Sequence, residues 1–330
     1  MPPSVLLTGA SGFIGQRLLP RLRQAMPEAI IHAVGGRDSH SAAYDGVHSV
    51  NLDLNDRQGI QDLARSTRPD VVLHLAAQSS VASSLSSPWS GWRTNLFGTL
   101  ELAEAVKEVR PDATLLFAST AEVYGRAFSS EETLTEDSPL APANPYARSK
   151  AACEYALQDL WDKDGRLIAL RIFNHIGPGQ DERFVASAFA AQIARIEHGL
   201  LPPVIKVGDL TVERDFGDVD DLIDAFVAVL SVRNGLPARS TFNVCAGHPA
   251  PVQGLLDGLI SLSSATPRIE IDADRLRPGE LRRVSGSNAA LKAATGWTPR
   301  RQLPETLEKL LTYWRGVVAQ QVEVKTGTAP

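Results

Sequence analysis

The feature that most restricts the fold of this 330-residue chain is a glycine turn within its first fifteen residues. Ser4-Val-Leu-Leu-Thr8 is a short apolar run, and Gly9-Ala-Ser-Gly12-Phe-Ile-Gly15 follows it directly, opening a helical pattern through Leu18, Leu19 and Leu22. Strand, glycine turn and helix in that order make the first half of a parallel βαβ unit. Gly9 permits the tight turn, Gly12 lets backbone approach a pyrophosphate, and Gly15 lets the helix pack close to the strand. The helix start then offers N–H groups and a partial positive charge to phosphates. A bare structural turn is the competing reading.

If the turn holds a dinucleotide, its candidate contacts are Gly9, Ser11, Gly12, Phe13, Ile14 and Gly15. A second apolar run, Ala29 to Val34, ends in Gly35-Gly36-Arg37, where an NAD-specific site places an acid. Arg37 can pair with a 2′-phosphate, which favours NADP(H), while Asp38 keeps NAD(H) open. Asp53 ends the short strand Val50-Asn-Leu-Asp53, and either accepts from an adenine amino group or caps the helix that begins near Asp56. Asp70-Val-Val-Leu-His-Leu75-Ala-Ala-Gln78 reads as a buried parallel strand with its polar residue at the mouth. Leu54, Leu75, Ala76 and Ala77 are the candidates that extend the cofactor surface, and Gln78 is a candidate for substrate. His74, inside the run, reads as a core histidine, and Asn95 as a tie between backbone segments.

Thr114 to Ala118 is the next strand, leading into Ser119-Thr120-Ala121-Glu122, whose hydroxyls at a strand mouth suit a substrate oxygen or simply end the strand. Phe128 to Pro145 is polar, contains three prolines, and reads as a loop over the sheet edge able to act as a lid. After it come Tyr146 and Lys150, i to i+4 in Asn144-Pro-Tyr-Ala-Arg-Ser-Lys150, and therefore on one face if the stretch is helical. A cation beside a phenol favours the phenolate, so the tyrosine is expected to titrate nearer neutrality and trade a proton with a substrate. Two side chains on a solvated helix face are the plainer reading.

Leu167 to Phe173 is a further strand delivering Asn174, after which the strict alternation of strand and helix breaks. The fold class read from this pattern is α/β, a Rossmann-type doubly wound parallel sheet with a smaller, interleaved C-terminal α/β domain for substrate. The expected boundaries are 1–173 plus about 216–245 for the first domain, about 174–215 plus 246–318 for the second, and a flexible tail at 319–330. Arg214 and Arg277 lie in basic clusters suited to a diphosphate or to surface ion pairs. The net charge of -5 argues against nucleic acid as a partner. No apolar stretch approaches the roughly 18 residues of a spanning helix, which excludes a membrane partner. Only two cysteines occur, Cys153 and Cys245, without a CxxC, as expected of free thiols in the cytoplasm. No metal-ligand spacing is present.

TGASGFIG, LHLAAQ, STAEVYG, YARSK, FNHIGPGQ and RDFGDVDD occur in this order, and together they resemble the extended short-chain dehydrogenases/reductases acting on nucleotide sugars, over about residues 4 to 315. FNHIGPGQ, FNVCAG and TGWTP most resemble the GDP-6-deoxy-D-mannose reductases. The resemblance implies that Tyr146 is the catalytic acid/base, Lys150 the group that lowers its pKa and holds the nicotinamide ribose, and Thr120 the catalytic hydroxyl. It implies that Asp53 meets adenine, that Asn174, Arg214 and Arg277 grip a GDP-sugar, and that the protein is a homodimer through helices near Leu100 and Tyr155. Related 4,6-dehydratases need an acid/base pair after the hydroxyl residue. Here Glu122 is present but its neighbour is Ala121, which cannot move a proton. A 4-epimerase and a non-catalytic NADP sensor are the remaining alternatives.

Overall fold

The computed structural model describes residues 2–36, 45–79, 81–130, 132–161, 164–276 and 280–326. The chain begins β1 (Ser4–Thr8), α1 (Phe13–Ala25), β2 (Ile30–Gly35), β3 (Val47–Asn51), α2 (Arg57–Thr67) and β4 (Val71–His74). Next come α3 (Val81–Ser86), α4 (Pro88–Gly91), a π-helical turn (Trp92–Phe97), α5 (Gly98–Val109), β5 (Thr114–Thr120), α6 (Pro145–Leu160) and β6 (Arg166–Ile172). The later half runs β7 (Asn174–Ile176), α7 (Val185–Glu197), β8 (Val204–Val207), β9 (Glu213–Asp218), α8 (Val219–Val232), β10 (Arg239–Val244), β11 (Pro249–Pro251) and α9 (Val252–Ser261). It closes with β12 (Arg268–Ile271), β13 (Arg283–Val284), α10 (Ala289–Thr295) and α11 (Leu303–Thr326).

Seven strands form one parallel sheet in the order β10-β6-β5-β4-β1-β2-β3. Every residue of β4 and β5 is buried, as their continuous apolar runs require for strands covered on both faces. One face packs against α1, α8 and Leu291 of α10, centred on Leu7, Leu73, Ile168 and Phe226. The other packs against α2, α5 and α6, centred on Leu6, Val72, Phe117 and Leu157. The strand order reverses between β1 and β4, so a crevice opens at their C-terminal ends.

A second core joins α7, α9 and α11 to β8 and β9 through Phe189, Ile193, Leu255 and Leu310. The segment RDFGDVDD crosses between the two cores, and its acids serve as fasteners. Asp215, 0% exposed, accepts from the Ala246 and Gly247 amides at 2.7 and 2.8 Å. Asp218 caps α8 and accepts from Thr306 of α11 at 2.6 Å, while Asp221 holds Arg301 at 2.6 Å.

Two expectations change. The terminal segment is helical to Thr326 rather than loose from 319, because Val318 is buried in the second core and no glycine or proline interrupts the helix from Val317 onward until Gly327. The proline-rich stretch before Tyr146 is fastened rather than free to swing. Leu134 is buried and exchanges backbone hydrogen bonds with Ser285 and Ser287, and the Glu136 carbonyl accepts from Arg171 at 2.9 Å.

Phe226, on the face of α8 turned to the sheet, is fully buried. Phe226→Ala removes its ring from this core and is expected to cost about 3–5 kcal/mol of unfolding free energy, measured by urea denaturation.

Candidate active site

The crevice floor is the glycine turn. Gly9 adopts φ +72°, and a Cβ there would stand 2.8 Å from the Ala76 amide nitrogen at the end of β4. A Cβ at Gly15 would stand 2.2 Å from the Gly9 carbonyl oxygen, so α1 can start this close to the turn only with glycine. At Gly12 an added Cβ meets only the Gly9 carbonyl, at 3.2 Å, so its other side faces open space. Gly12 is also the N-cap of α1 and supplies no side-chain cap, leaving the helix N–H groups directed at the crevice. These features fit a pyrophosphate. Ser11, Phe13 and Ile14 belong to the same turn, and Leu75, Ala76 and Ala77 line the end of β4 beside it.

Thr8, His74 and Thr99 form a buried chain behind this floor. His74 Nδ1 lies 2.7 Å from Thr8 Oγ1, and Nε2 lies 2.8 Å from Thr99 Oγ1. Because the Thr99 hydroxyl donates to the Asn95 carbonyl at 2.5 Å, it accepts from Nε2–H, and Nδ1 accepts from Thr8. Burial, with the nearby Lys150 charge, pushes His74 down to about 3. It is a neutral structural histidine, as its place inside an apolar strand suggests.

Asp53 meets Asn55, accepting from its amide at 2.9 Å and from its side chain at 2.8 Å. The cap of α2 is Asp56, which accepts from Gly59, so the capping alternative for Asp53 falls. Leu54 is buried against Gly98.

Tyr146 and Lys150 stand one turn apart on α6, which Asn144 and Pro145 start as N-cap and first residue. The Asn144 amide does two jobs. Its oxygen accepts from the Ala147 amide at 2.8 Å, and its nitrogen donates to the Glu122 carboxylate at 3.0 Å. Thr120 ends β5, accepts from the Glu122 amide at 3.3 Å, and its hydroxyl favours the ionised form of the Tyr146 phenol. Asn95, fully buried in the π-helical turn, accepts from the Gln78 amide at 2.8 Å and donates to the Gln78 carbonyl at 3.2 Å and to Ser149 of α6 at 3.1 Å. The helix that carries the phenol and the mouth of β4 are thereby locked together.

The expected depression of the Tyr146 pKa by Lys150 is not what the structure shows. Burial pushes the phenol up to about 12, the Thr120 hydrogen bond opposes this, and the Glu122 charge adds to it. The Lys150 ammonium is engaged lower down, donating to the Ala118 carbonyl at 2.7 Å and lying 4.6 Å from the Phe117 ring centroid. Burial lowers Lys150 to about 8, against the raising influence of Cys153 and Glu154. At neutral pH the pair is therefore a protonated phenol and an ammonium, a proton donor backed by a cation.

Of the substrate candidates, Gln78, Thr120 and Glu122 gather at the mouths of β4 and β5, and the Gln78 side-chain oxygen is buried without a hydrogen bond among the described residues. Asn174 is exposed at the start of β7. Arg214 is committed within the chain, pairing with Glu280 at 2.9 Å and donating to the Leu281 carbonyl at 2.9 Å, which is the ion-pair reading of its cluster. Arg37 and Arg277 lie outside the described residues. Sequence reasoning gave Asn144 no role and missed the buried pair of Glu154 with Arg171. The asparagine-proline helix start was the available signal for the first; the second joins residues on separate elements and left none.

The family model for "NAD dependent epimerase/dehydratase family" matches residues 5–245. The chain is 34% identical over 322 residues to the GDP-6-deoxy-D-mannose reductase of Pseudomonas aeruginosa, covering 97% of this chain and 100% of the relative. It is 33% identical to a UDP-glucose 4-epimerase of Mycolicibacterium smegmatis, covering 94% and 98%. Among solved structures it is similar to RMD from Pseudomonas aeruginosa complexed with NADPH, at TM-score 0.81 and 33% identity over 95% of this chain and 99% of the other. A Thermus thermophilus UDP-glucose 4-epimerase complexed with NAD superposes at TM-score 0.82 and 29% identity over 94% and 99%. With its parallel sheet, glycine turn and paired tyrosine and lysine, the chain belongs to the NAD dependent epimerase/dehydratase family, within the extended short-chain dehydrogenases/reductases.

Proposed function

We propose that the protein reduces the 4-keto group of a GDP-4-keto-6-deoxy-D-mannose-like nucleotide sugar to give GDP-D-rhamnose, with NADPH preferred and NADH accepted. The observation that carries this reading is the end-to-end similarity to a GDP-6-deoxy-D-mannose reductase, joined to a site that sets Tyr146 and Lys150 on one face of α6 beside Thr120. Ala121, buried after Thr120, adds to it, since a dehydratase needs a proton-transfer group at that position.

Gly9, Gly12 and Gly15 would hold the pyrophosphate with Ser11, Phe13 and Ile14, Asp53 and Leu54 the adenine end, and Lys150 the nicotinamide ribose. Bound reduced nicotinamide supplies hydride to C4 of the sugar. As charge develops on the carbonyl oxygen, Tyr146 and Thr120 are the donors aimed at it, and Tyr146 delivers the proton. Gln78 and Glu122 border the sugar. Asn174, Arg214 and Arg277 are assigned to the nucleotide side, in the unit of about 174–215 plus 246–318. The 4-epimerase reading has a specific basis in the relatives of that name, and it predicts turnover without net cofactor consumption.

We also infer a homodimer through α3 to α6. Leu85, Trp89, Phe97 and Tyr155 are large apolar side chains exposed on neighbouring helices, with the Trp89 and Phe97 rings 6.0 Å apart. Two buried free thiols suit a reducing cytoplasm.

Tyr146→Phe is expected to bind NADPH as the wild type does and to lose turnover on the 4-keto sugar by about a hundredfold or more, followed by NADPH oxidation and NMR of the product. Wild-type turnover in this variant overturns the assignment, and sugar turnover without stoichiometric NADPH oxidation selects the epimerase. Phe97→Asp combined with Tyr155→Asp is expected to sediment as a monomer in analytical ultracentrifugation where the wild type sediments as a dimer.

A further inference from the structure

Arg171 of β6 is 6% exposed, and the reaction above gives it no part. Its planar fork meets three separate segments. Nε and Nη2 donate to the Glu154 carboxylate, on the third turn of α6, at 3.1 and 2.8 Å. Nη1 donates both to the Tyr124 hydroxyl, in the turn that follows Thr120, and to the Glu136 carbonyl, in the stretch that leads into α6, each at 2.9 Å. These partners are held in their turn. Glu154 accepts from the Ser119 hydroxyl, Tyr124 donates to the Asn243 side chain of β10 at 2.7 Å, and the Asn243 amide donates to the Glu136 carboxylate at 2.7 Å. In the sheet Arg171 lies directly opposite Ser119, the neighbour of Thr120.

The segments that meet at Arg171 are those that place the reacting groups. α6 carries Tyr146 two turns before Glu154, β5 ends in Thr120 shortly before Tyr124, and the stretch through Glu136 runs to the Asn144-Pro145 start of α6. Burying an ion pair is a poor route to stability, since apolar replacement of both partners is often neutral or better. A rigid fork of N–H donors is, by contrast, suited to holding several acceptors at fixed angles, which an ammonium on a flexible stem is not.

We propose that Arg171 is a positioning residue, which fixes the Tyr146 phenol relative to the Thr120 hydroxyl by clamping α6, the turn after β5 and the stretch before α6 onto β6. It acts through Glu154, Tyr124 and Glu136, which take its hydrogen bonds. The proposal rests on the reading of Tyr146 and Thr120 as the donors to the carbonyl oxygen.

Two variants test it without orphaning a buried charge. Arg171→Lys keeps a cation opposite Glu154 and loses the fork, while Tyr124→Phe leaves the ion pair whole and cuts one of the three ties. At saturating NADPH and 4-keto sugar, kcat is expected to fall about a hundredfold in Arg171→Lys and about tenfold in Tyr124→Phe, as misplaced donors would cause. In a Tyr146→Phe background, Arg171→Lys should cost about tenfold or less, because the group it positions is gone. A loss that multiplies in full in that background is the mark of plain stabilisation and overturns the proposal, as does wild-type kcat in either single variant.

A second readout needs no substrate. The chain has five tyrosines, and NMR of protein labelled at tyrosine Cζ identifies Tyr146 as the signal missing from Tyr146→Phe. This resonance is expected to shift by more than its line width in Arg171→Lys and in Tyr124→Phe, while that of Tyr313 on α11 stays in place. If Arg171→Lys does not melt cooperatively, Tyr124→Phe carries both readouts. A Tyr146 resonance that stays put in a folded variant, or a Tyr313 shift of equal size, overturns the proposal. If the wild type reduces no 4-keto sugar, the proposed reaction fails and the resonances alone decide the role of Arg171.

Discussion

The site depends on a steric constraint, the close approach of backbone to backbone at the first turn. The Gly15 Cα lies so near the Gly9 carbonyl that a methyl group would overlap it, and a methyl group on Gly9 would press on the Ala76 amide. This contact sets the start of α1 and joins the ends of β1 and β4 where the strand order reverses. The Thr8, His74 and Thr99 chain continues the same junction into α5, and Thr99 passes it to the Asn95 carbonyl. Because the histidine is neutral and its tautomer is fixed by its neighbours, the chain has one arrangement of donors and acceptors. A charged histidine there would reverse the Thr8 bond and leave the Thr8 hydroxyl hydrogen without this acceptor.

The helix that carries Tyr146 is docked by three polar tethers on different sides. Asn144 ties its start to Glu122, Asn95 ties Ser149 to the mouth of β4, and Glu154 ties its third turn to β5 and β6. Each such bond adds only about 1 kcal/mol net. Their common effect is geometric. They fix the helix against translation and rotation relative to the strand ends, and a misplacement of about 1 Å is enough to cost a reaction two orders of magnitude. The π-helical turn belongs to this device, since its widened geometry accompanies a carbonyl at Asn95 that serves both Thr99 and Cys153.

What could be read from the sequence was whatever a short stretch encodes within itself. The glycine turn carries its own spacing, β4 and β5 their continuous apolar runs, and the Tyr146 helix its Asn144-Pro145 start. Less could be read where two distant segments meet. The cluster around Arg214 could be read only as charge, open to a diphosphate or to ion pairs, because Glu280, which pairs with it, lies 66 residues away. The pKa of Tyr146 was expected to fall because spacing reveals the lysine but not the burial that outweighs it, nor the Ala118 carbonyl that takes the ammonium. The stretch before Tyr146 looked loose for the same reason, since Ser285 and Arg171, which hold it, come from beyond β13 and from β6.

The protonated phenol bears on the chemistry. Reduction of a carbonyl needs a donor protonated beside the developing charge, and at neutral pH Tyr146 stands in that state. Glu122 reinforces it, since a carboxylate near the phenol disfavours the phenolate. The same carboxylate that in a dehydratase would serve as a base is here bonded to the helix cap Asn144, with alanine as its neighbour. Its field and its tether both favour proton delivery, so the side chain that left the reaction open in the sequence becomes, in the folded site, an argument for reduction.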